Sequence, residues 1–324
     1  MGVQIIGTGS YVPERVITNE ELRITHGFDP AWIIQRTGIR ERRFAAPDQA
    51  TSDLCFEAAQ RCIDSAHVDT RDIDMLIVGT FTPDQTFPST ACMVQDRLKL
   101  DCGAMDLMAA CSGFMYSLVT GMCFVASGQS QLCMVISGDC NSRVINPKDT
   151  KTYPLFGDGA GAVLLAPGAP DQGLIAYRLG ADGSGGSLLR RQACGSRMVP
   201  SVEAIEKGLH FLEMDGRAVF KWAVNILTDS TEEVLARAGL KVSDIDLVIP
   251  HQANIRIINA ATDVMGFPRD KVFNNLERYG NTSGGSVPIG MDEARSAGHL
   301  NRKDKVLLSG YGAGLTWGTA ILSV

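Results

Sequence analysis

The sequence predicts a layered α/β fold made of two similar halves, and three observations carry that prediction. Short Val/Ile/Leu runs alternate with longer helical patterns, as when helices cover buried strands. Segments of the first half recur, in order, in the second. Glycine-rich stretches, Gly157–Gly161, Gly183–Gly186 and Gly312–Gly314, mark tight turns or close backbone approach. The 324 residues, 45% hydrophobic and 20% charged, suffice to bury a large core.

Taken in order, Gly2-Val3-Gln4-Ile5-Ile6 reads as a strand. It lacks the basic region of a signal peptide, and Ile6 occupies the position where a myristoylation pattern needs Ser or Thr. Gly7-Thr8-Gly9-Ser10 fails as a dinucleotide fingerprint, because no third glycine follows and Pro13 blocks the helix. Helical patterns at Leu54–Ala66 and Ser230–Ala238 each precede a strand, Met75–Val78 and Leu247–Ile249. The run Asp72-Ile73-Asp74-Met75 resembles Asp244-Ile245-Asp246-Leu247, 172 positions on. Val135-Ile136-Ser137-Gly138 matches Leu307-Leu308-Ser309-Gly310 at the same spacing. The final strands, Gly161–Leu165 and Gly318–Leu322, lie 157 apart, so the first half holds about fifteen extra residues. They include Asn141 to Pro154, a polar, proline-bounded loop suited to face a substrate. Each half thus reads strand, helix, strand, helix, strand, strand, over residues 1–170 and 171–324.

A net charge of −6 argues against general nucleic-acid binding but leaves room for a local basic patch. The longest apolar stretch, Phe114–Ala126, is too short to span a bilayer, and a cytoplasmic protein is expected. None of the nine cysteines forms Cys-x-x-Cys, and no Cys/His cluster has zinc spacing. Most read as buried small hydrophobes in a reducing compartment.

Cys111 differs. Small residues surround it in Ala109-Ala110-Cys111-Ser112-Gly113, and an apolar helix pattern follows. A buried helix would place its partly positive end at the thiol and favour thiolate. His251 follows a strand that Pro250 ends, at the carboxyl edge where α/β sheets place ligands, with Asn254 one helical turn on. Asn281-Thr282-Ser283-Gly284-Gly285 lacks the Gly-Lys-Ser/Thr of a phosphate loop. The 172-residue offset sets Cys111 against the Asn281–Ser283 turn and His251 against Gly79, predicting that Cys111, His251 and Asn281 converge. Singly they read as a core cysteine, a capping histidine and a turn asparagine. Together they point to acyl transfer on cysteine.

Across essentially its whole length the chain resembles the β-ketoacyl-acyl-carrier-protein synthase III family, which initiates bacterial fatty-acid synthesis. The resemblance rests on Gly7–Pro13, Arg36–Arg42, Ala110–Phe114, Phe156–Gly161, Pro250–Arg256, Gly280–Ser283 and Gly312–Gly318. It implies a thiolase-like fold, two duplicated βαβαβ-type halves in five layers, αβαβα, and a homodimer. It further implies that Cys111 takes an acyl group from acyl-CoA, and that His251 and Asn281 polarise the malonyl thioester of acyl carrier protein for decarboxylative condensation. The N–H groups of Cys111 and Ala313 would form the oxyanion hole. Trp32, Arg36, Phe220 and Asn254 match CoA- and pantetheine-contacting positions, and Phe87 matches a residue reaching the partner's acyl pocket. Lys221 and Arg256 match the patch that meets the carrier protein. No metal and no organic cofactor is implied.

Thr150 replaces a CoA-contacting arginine, with Lys151 beside it, and Tyr153-Pro154 reshapes the loop. Ala313 replaces a common glycine, and Gly284-Gly285 a more usual small pair. A degradative thiolase is disfavoured, since Ser309–Gly314 lacks a second cysteine. A specialised priming synthase or acyl-shuttling transferase of secondary metabolism stays open as the runner-up. A non-catalytic partner subunit is disfavoured by the intact Cys111, His251 and Asn281.

Overall fold

A computed structural model describes residues 2–324. The first part of the chain forms β1 (Gly2–Tyr11), β2 (Val16–Thr18), α1 (Asn19–His26), α2 (Pro30–Thr37), β3 (Glu41–Arg43), α3 (Thr51–Ala66), β4 (Met75–Gly79), α4 (Thr90–Leu98), β5 (Gly103–Leu107), α5 (Gly113–Ala126), β6 (Cys133–Asp139) and β7 (Gly159–Gly168). The rest forms β8 (Gly173–Ala181), β9 (Leu189–Arg191), α6 (Val202–Glu206), β10 (Leu212–Met214), α7 (Gly216–Ala238), β11 (Leu247–Pro250), α8 (Ile255–Met265), α9 (Leu276–Tyr279), α10 (Ser286–Ser296), β12 (Lys305–Gly312) and β13 (Thr316–Ser323).

Two sheets repeat one topology. The first runs β1-β7-β6-β4-β5 and the second β8-β13-β12-β11. In both, the outer two pairings are antiparallel and the next is parallel. The fifth strand of the second sheet shrinks to one parallel bridge between Val248 and Val272.

Hydrophobic patterning explains the layers. α5 and α10 are the middle layer: Phe114, Met115, Leu118, Met122, Val287 and Met291 form one core with both sheets, through Ile77, Val135, Ile249 and Leu308. α3 and α4 cover the outer face of the first sheet, where Leu54, Ala58, Cys62 and Val94 pack on Leu76, Val78 and Ile136. α7 and α8 cover the second, through Val234 and Leu235 on Val248 and through Ala223, Leu227 and Ile257 beside Tyr311 and Trp317. This is the expected αβαβα arrangement.

Most peripheral helices carry a side-chain cap, though α3, which follows Ala50, does not. Thr18, Asp29, Ser89, Asp215 and Asn254 cap α1, α2, α4, α7 and α8 by accepting from first-turn N–H groups. α5 and α10 have no side-chain cap. Their first turns enter from short 3₁₀ turns, Ala110–Ser112 and Ser283–Gly285, and meet at the site.

Several expectations need correction. α4 and β5 add an element pair that the predicted pattern lacked; β5 is a half-buried edge strand without a strong apolar run. Gly159–Gly161 lies in β7, where the second of the two expected uses holds, close backbone approach: a Cβ on Gly161 would stand 2.6 Å from the Ile289 nitrogen. Cys123 is exposed on α5. Met75 pairs with Cys133 and Leu247 with Val306, so β6 and β12 correspond at 173 residues while β4 and β11 keep 172. One extra residue lies between those strands in the second half. Cys111 is therefore structurally equivalent to Gly284, and Ala110 to Ser283.

Candidate active site

The two 3₁₀ turns place Cys111. Ala110 and Ser283 hold left-handed backbone, φ 46° and 54°, and turn the chain sharply into α5 and α10. Cys111 is buried, with its Sγ accepting from the Ser283 hydroxyl at 3.4 Å. A Cβ on Gly312 would stand 2.8 Å from the Cys111 Cβ, so the β12–β13 turn passes directly against the thiol. The thiol sits at an uncapped helix start as expected, yet burial pushes it up to about 12, opposed by the Ser283 hydrogen bond. The helix end alone does not make it a thiolate.

His251 leaves β11 with its N–H bonded to the Ser309 carbonyl at 2.7 Å. Its ring packs edge-on to Tyr311 at 5.1 Å, and its Nδ1 lies 2.6 Å from the Ser286 hydroxyl. That hydroxyl also accepts from the Gln252 N–H at 3.3 Å. Burial pushes the ring down to about 3, so it is neutral and carries one proton, on Nε2 in the tautomer whose Nδ1 accepts from Ser286.

Asn281 is oriented by its neighbour in the same turn. Its Oδ1 accepts the Ser283 N–H at 2.8 Å, leaving both Nδ2 protons free among the described residues. Its backbone is tied to the insertion by bonds with Leu155 and Gly157 at 2.8 and 3.0 Å. Asn254 is not a helical turn beyond His251: the intervening chain is irregular, and Asn254 caps α8.

The N–H groups of Cys111 and Ala313 donate to no acceptor among the described residues. The Ala313 carbonyl accepts from Thr316 Oγ1 at 2.9 Å, and the same hydroxyl reaches the Ala109 carbonyl at 3.0 Å. Thr316 thus ties the β12–β13 turn to the Cys111 turn.

The expected entrance residues gather where α2, α7 and α8 meet. Asn254 Nδ2 donates to the Arg36 carbonyl at 3.1 Å, and the Arg256 guanidinium lies 5.5 Å from the Phe220 ring. Arg36, Lys221 and Arg256 are exposed, and Trp32, one turn before Arg36, is 39% exposed. Phe87 is 82% exposed. Thr150 and Lys151 are exposed on the insertion, while Tyr153 packs with His26, Phe28 and Phe44.

Three residues escaped the sequence reading: Ser283, Ser286 and Tyr311. The offset that set position 283 against Cys111 was a signal for the first, since those side chains touch. No cluster of His, Cys, Asp or Glu among the described residues is arranged to hold a metal, and no helix among them is long and apolar enough to cross a membrane.

The family described as 3-oxoacyl-[acyl-carrier-protein] synthase III matches residues 105–183, and its C-terminal region matches 235–324. A β-ketoacyl-[acyl-carrier-protein] synthase III of Rhodopirellula baltica is 50% identical over 99% of this chain and 98% of its own length. That of Caldanaerobacter subterraneus subsp. tengcongensis is 47% identical over 98% and 96%. The solved 3-oxoacyl-[acyl-carrier-protein] synthase III of Aquifex aeolicus VF5 superposes with a TM-score of 0.93 at 40% identity, covering 100% of both chains. The priming β-ketosynthase of the R1128 polyketide biosynthetic pathway gives 0.91 at 34%, covering 99% of this chain and 96% of that one. Full-length identity near one half, with the same fold throughout, places the chain in the β-ketoacyl-[acyl-carrier-protein] synthase III family of acyltransferases.

Proposed function

We propose that Cys111 carries the acyl group and that His251 and Asn281 drive the condensation. The observation that supports this reading is the contact between the Cys111 turn and the Asn281–Ser283 turn, with Asn281 Nδ2 and the N–H groups of Cys111 and Ala313 free among the described residues and His251 held by Ser286 at the start of the same helix. Cys111 attacks an acyl-CoA thioester, the N–H groups of Cys111 and Ala313 hold the oxyanion, and CoA leaves. Malonyl-carrier protein then enters. His251 and Asn281 hydrogen-bond its thioester carbonyl and stabilise the enolate formed as CO₂ departs, and the carbanion attacks the acyl-cysteine. A neutral imidazole suits this role, because the step needs a fixed donor to developing negative charge. Loss of CO₂ drives the reaction, so the scheme calls for no metal and no organic cofactor.

Trp32 offers a ring for adenine and Arg36 a cation for phosphate. Phe220 and Asn254 would line the pantetheine path, and Lys221 and Arg256 would meet the acidic carrier protein. The chain is read as two halves, 1–170 and 171–324, and as a cytoplasmic homodimer in which Phe87 reaches the partner's acyl pocket. The exposed Phe87 ring supports the dimer. A priming role in secondary metabolism is the second reading, favoured by Thr150 where a CoA-contacting arginine was expected.

Incubation with acetyl-CoA should add one acetyl group, located on Cys111 by peptide mass spectrometry. No adduct, or an adduct on another cysteine, sinks the mechanism. The same measurement over a panel of acyl-CoA and acyl-carrier donors separates the two readings.

A further inference from the structure

Two buried polar side chains outside the proposed mechanism grip the segment that holds Asn281. That segment is Pro154–Gly157, where the insertion ends. Phe156 lies against Asn281 in a parallel bridge. The Asn281 N–H donates to the Leu155 carbonyl at 2.8 Å, and the Gly157 N–H donates to the Asn281 carbonyl at 3.0 Å. Arg42, on β3 and fully buried, donates through Nη2 to the Pro154 carbonyl at 2.8 Å. Its Nη1 donates at 3.0 Å to the carbonyl of Ile17, its partner across the β2–β3 ribbon. Asn141, also fully buried, donates through Nδ2 to the Gly157 carbonyl at 2.6 Å. Arg42 packs on the same backbone as well. A Cβ on Gly157 would stand 3.2 Å from the Arg42 Cβ, and one on Gly280, just before Asn281, 3.4 Å from it.

We propose that Arg42 and Asn141 are positioning residues for the condensation step, a clamp that sets Asn281 through the Pro154–Gly157 segment.

The energetic case is that both side chains are costly to bury. Arg42 Nε and Asn141 Oδ1 have no partner among the described residues. Both hydrogen bonds of the guanidinium go to backbone carbonyls. Burial pushes it down to about 10, so it stays a cation at neutral pH. A buried cation and two orphaned polar atoms oppose stability, and apolar side chains here would avoid that cost. What the pair supplies is geometry. The guanidinium fork joins carbonyls of two separate elements, and the amide fixes the far end of the segment. Asn281 depends on that geometry. Its Oδ1 is held by the Ser283 N–H, so its Nδ2 follows its backbone, and its backbone follows Pro154–Gly157. Cys111, in the Ala110–Ser112 turn, makes none of these bonds. A loosened clamp should therefore harm one step and spare the other.

The clamp rests on the assignment of Asn281 to condensation, and the test separates the two ideas. Acylation is the rate at which acetyl-CoA labels Cys111, read by mass spectrometry. Condensation is product formed from the acetyl-enzyme and malonyl-carrier protein. R42M should acylate within about twofold of wild type and condense about 30-fold more slowly, as a displaced catalytic group does. N141L, which keeps the side chain's bulk and removes its amide, should lose about tenfold in the same step alone. In an N281A background R42M should slow condensation no further, because both changes act through one group.

If Arg42 and Asn141 only hold the fold, the variants have a lower Tm while both steps keep wild-type rates, which overturns the clamp. Equal losses in the two steps overturn it, and so does a full further loss from R42M in the N281A background. N141L decides alone should R42M fail to fold by circular dichroism. Unchanged condensation in N281A itself would defeat the assignment of Asn281, and the clamp with it.

Discussion

Two turns of one design face each other at the centre of this protein and have opposite uses. Ala109–Gly113 and Thr282–Ser286 share a left-handed second residue, a 3₁₀ turn and an uncapped helix. In the first turn the third residue is Cys111; in the second it is Gly284, which leaves room for the neighbouring chain. The strands beside them differ in the same sense. Gly79 ends β4 against Gly113, where a Cβ would stand 3.0 Å from the Gly113 carbonyl carbon. The corresponding pair in the second half is His251 and Ser286, joined by a hydrogen bond. One half is small around Cys111, and the other fills the matching positions with hydrogen-bonding groups. The backbone topology repeats, and the proposed mechanism divides the chemistry between the halves.

The largest test of that division removes the second half's donors. H251A and N281A should still form the acyl-Cys111 adduct, while condensation with malonyl-carrier protein falls about 10²–10³-fold. Adduct formation is read by mass, and condensation by product formation. Equal loss in both steps would mean the two turns share one task.

A smaller effect should follow from making the turns less complementary. In G284A the new Cβ would meet Ser137 Oγ at 2.4 Å and the Ala110 carbonyl at 3.3 Å. Thermal unfolding should show a loss of about 1–3 kcal/mol, and labelling of Cys111 should slow as its turn is pushed away. G183A is the control, because nothing lies within 4 Å of its added Cβ. A G284A protein with unchanged Tm would show that the turns need no close fit.

The same comparison marks how far the sequence can be read. The layered fold, the paired strands and the meeting of the Cys111 turn with the Asn281–Ser283 turn follow from apolar runs and one repeated spacing. Local pattern carries these features, because a buried strand must be apolar and a sharp turn must be small. The extra residue between β11 and the Ser283 turn was invisible, so Cys111 was set against Ser283 rather than Gly284. α4 and β5 were missed because β5 is a half-buried edge. Ser286 reads in sequence as an ordinary helix start. Its contact with His251 depends on which atoms face it in the folded chain, which no local pattern encodes.

Burial of His251 gives the second half a pH signature that the first half's Gly79 cannot have. The ring sits at about 3 when folded against an ordinary 6.5, so the unfolded chain binds the extra proton between those values. Stability therefore rises with pH across this window and is lost as pH falls through it, by about 1.4 kcal/mol per pH unit for one proton. Chemical denaturation followed between those limits should show that slope, and H251N should reduce it by one proton. An unchanged slope in H251N would place the proton uptake elsewhere.

The smallest expected effect concerns the insertion that only the first half carries. Thr150 and Lys151 are both exposed, so a charge placed there works through solvent. An exposed ion pair contributes at most about 1 kcal/mol, and T150R should lower the KM for acyl-CoA by about fivefold or less, with kcat unchanged. The effect should shrink as salt is raised, because exposed charges are screened. If Lys151 already supplies the phosphate contact, K151A raises KM by a similar factor and T150R in that background restores it. If neither change moves KM for acyl-CoA while both leave an acyl-carrier donor equally active, the insertion does not bind CoA.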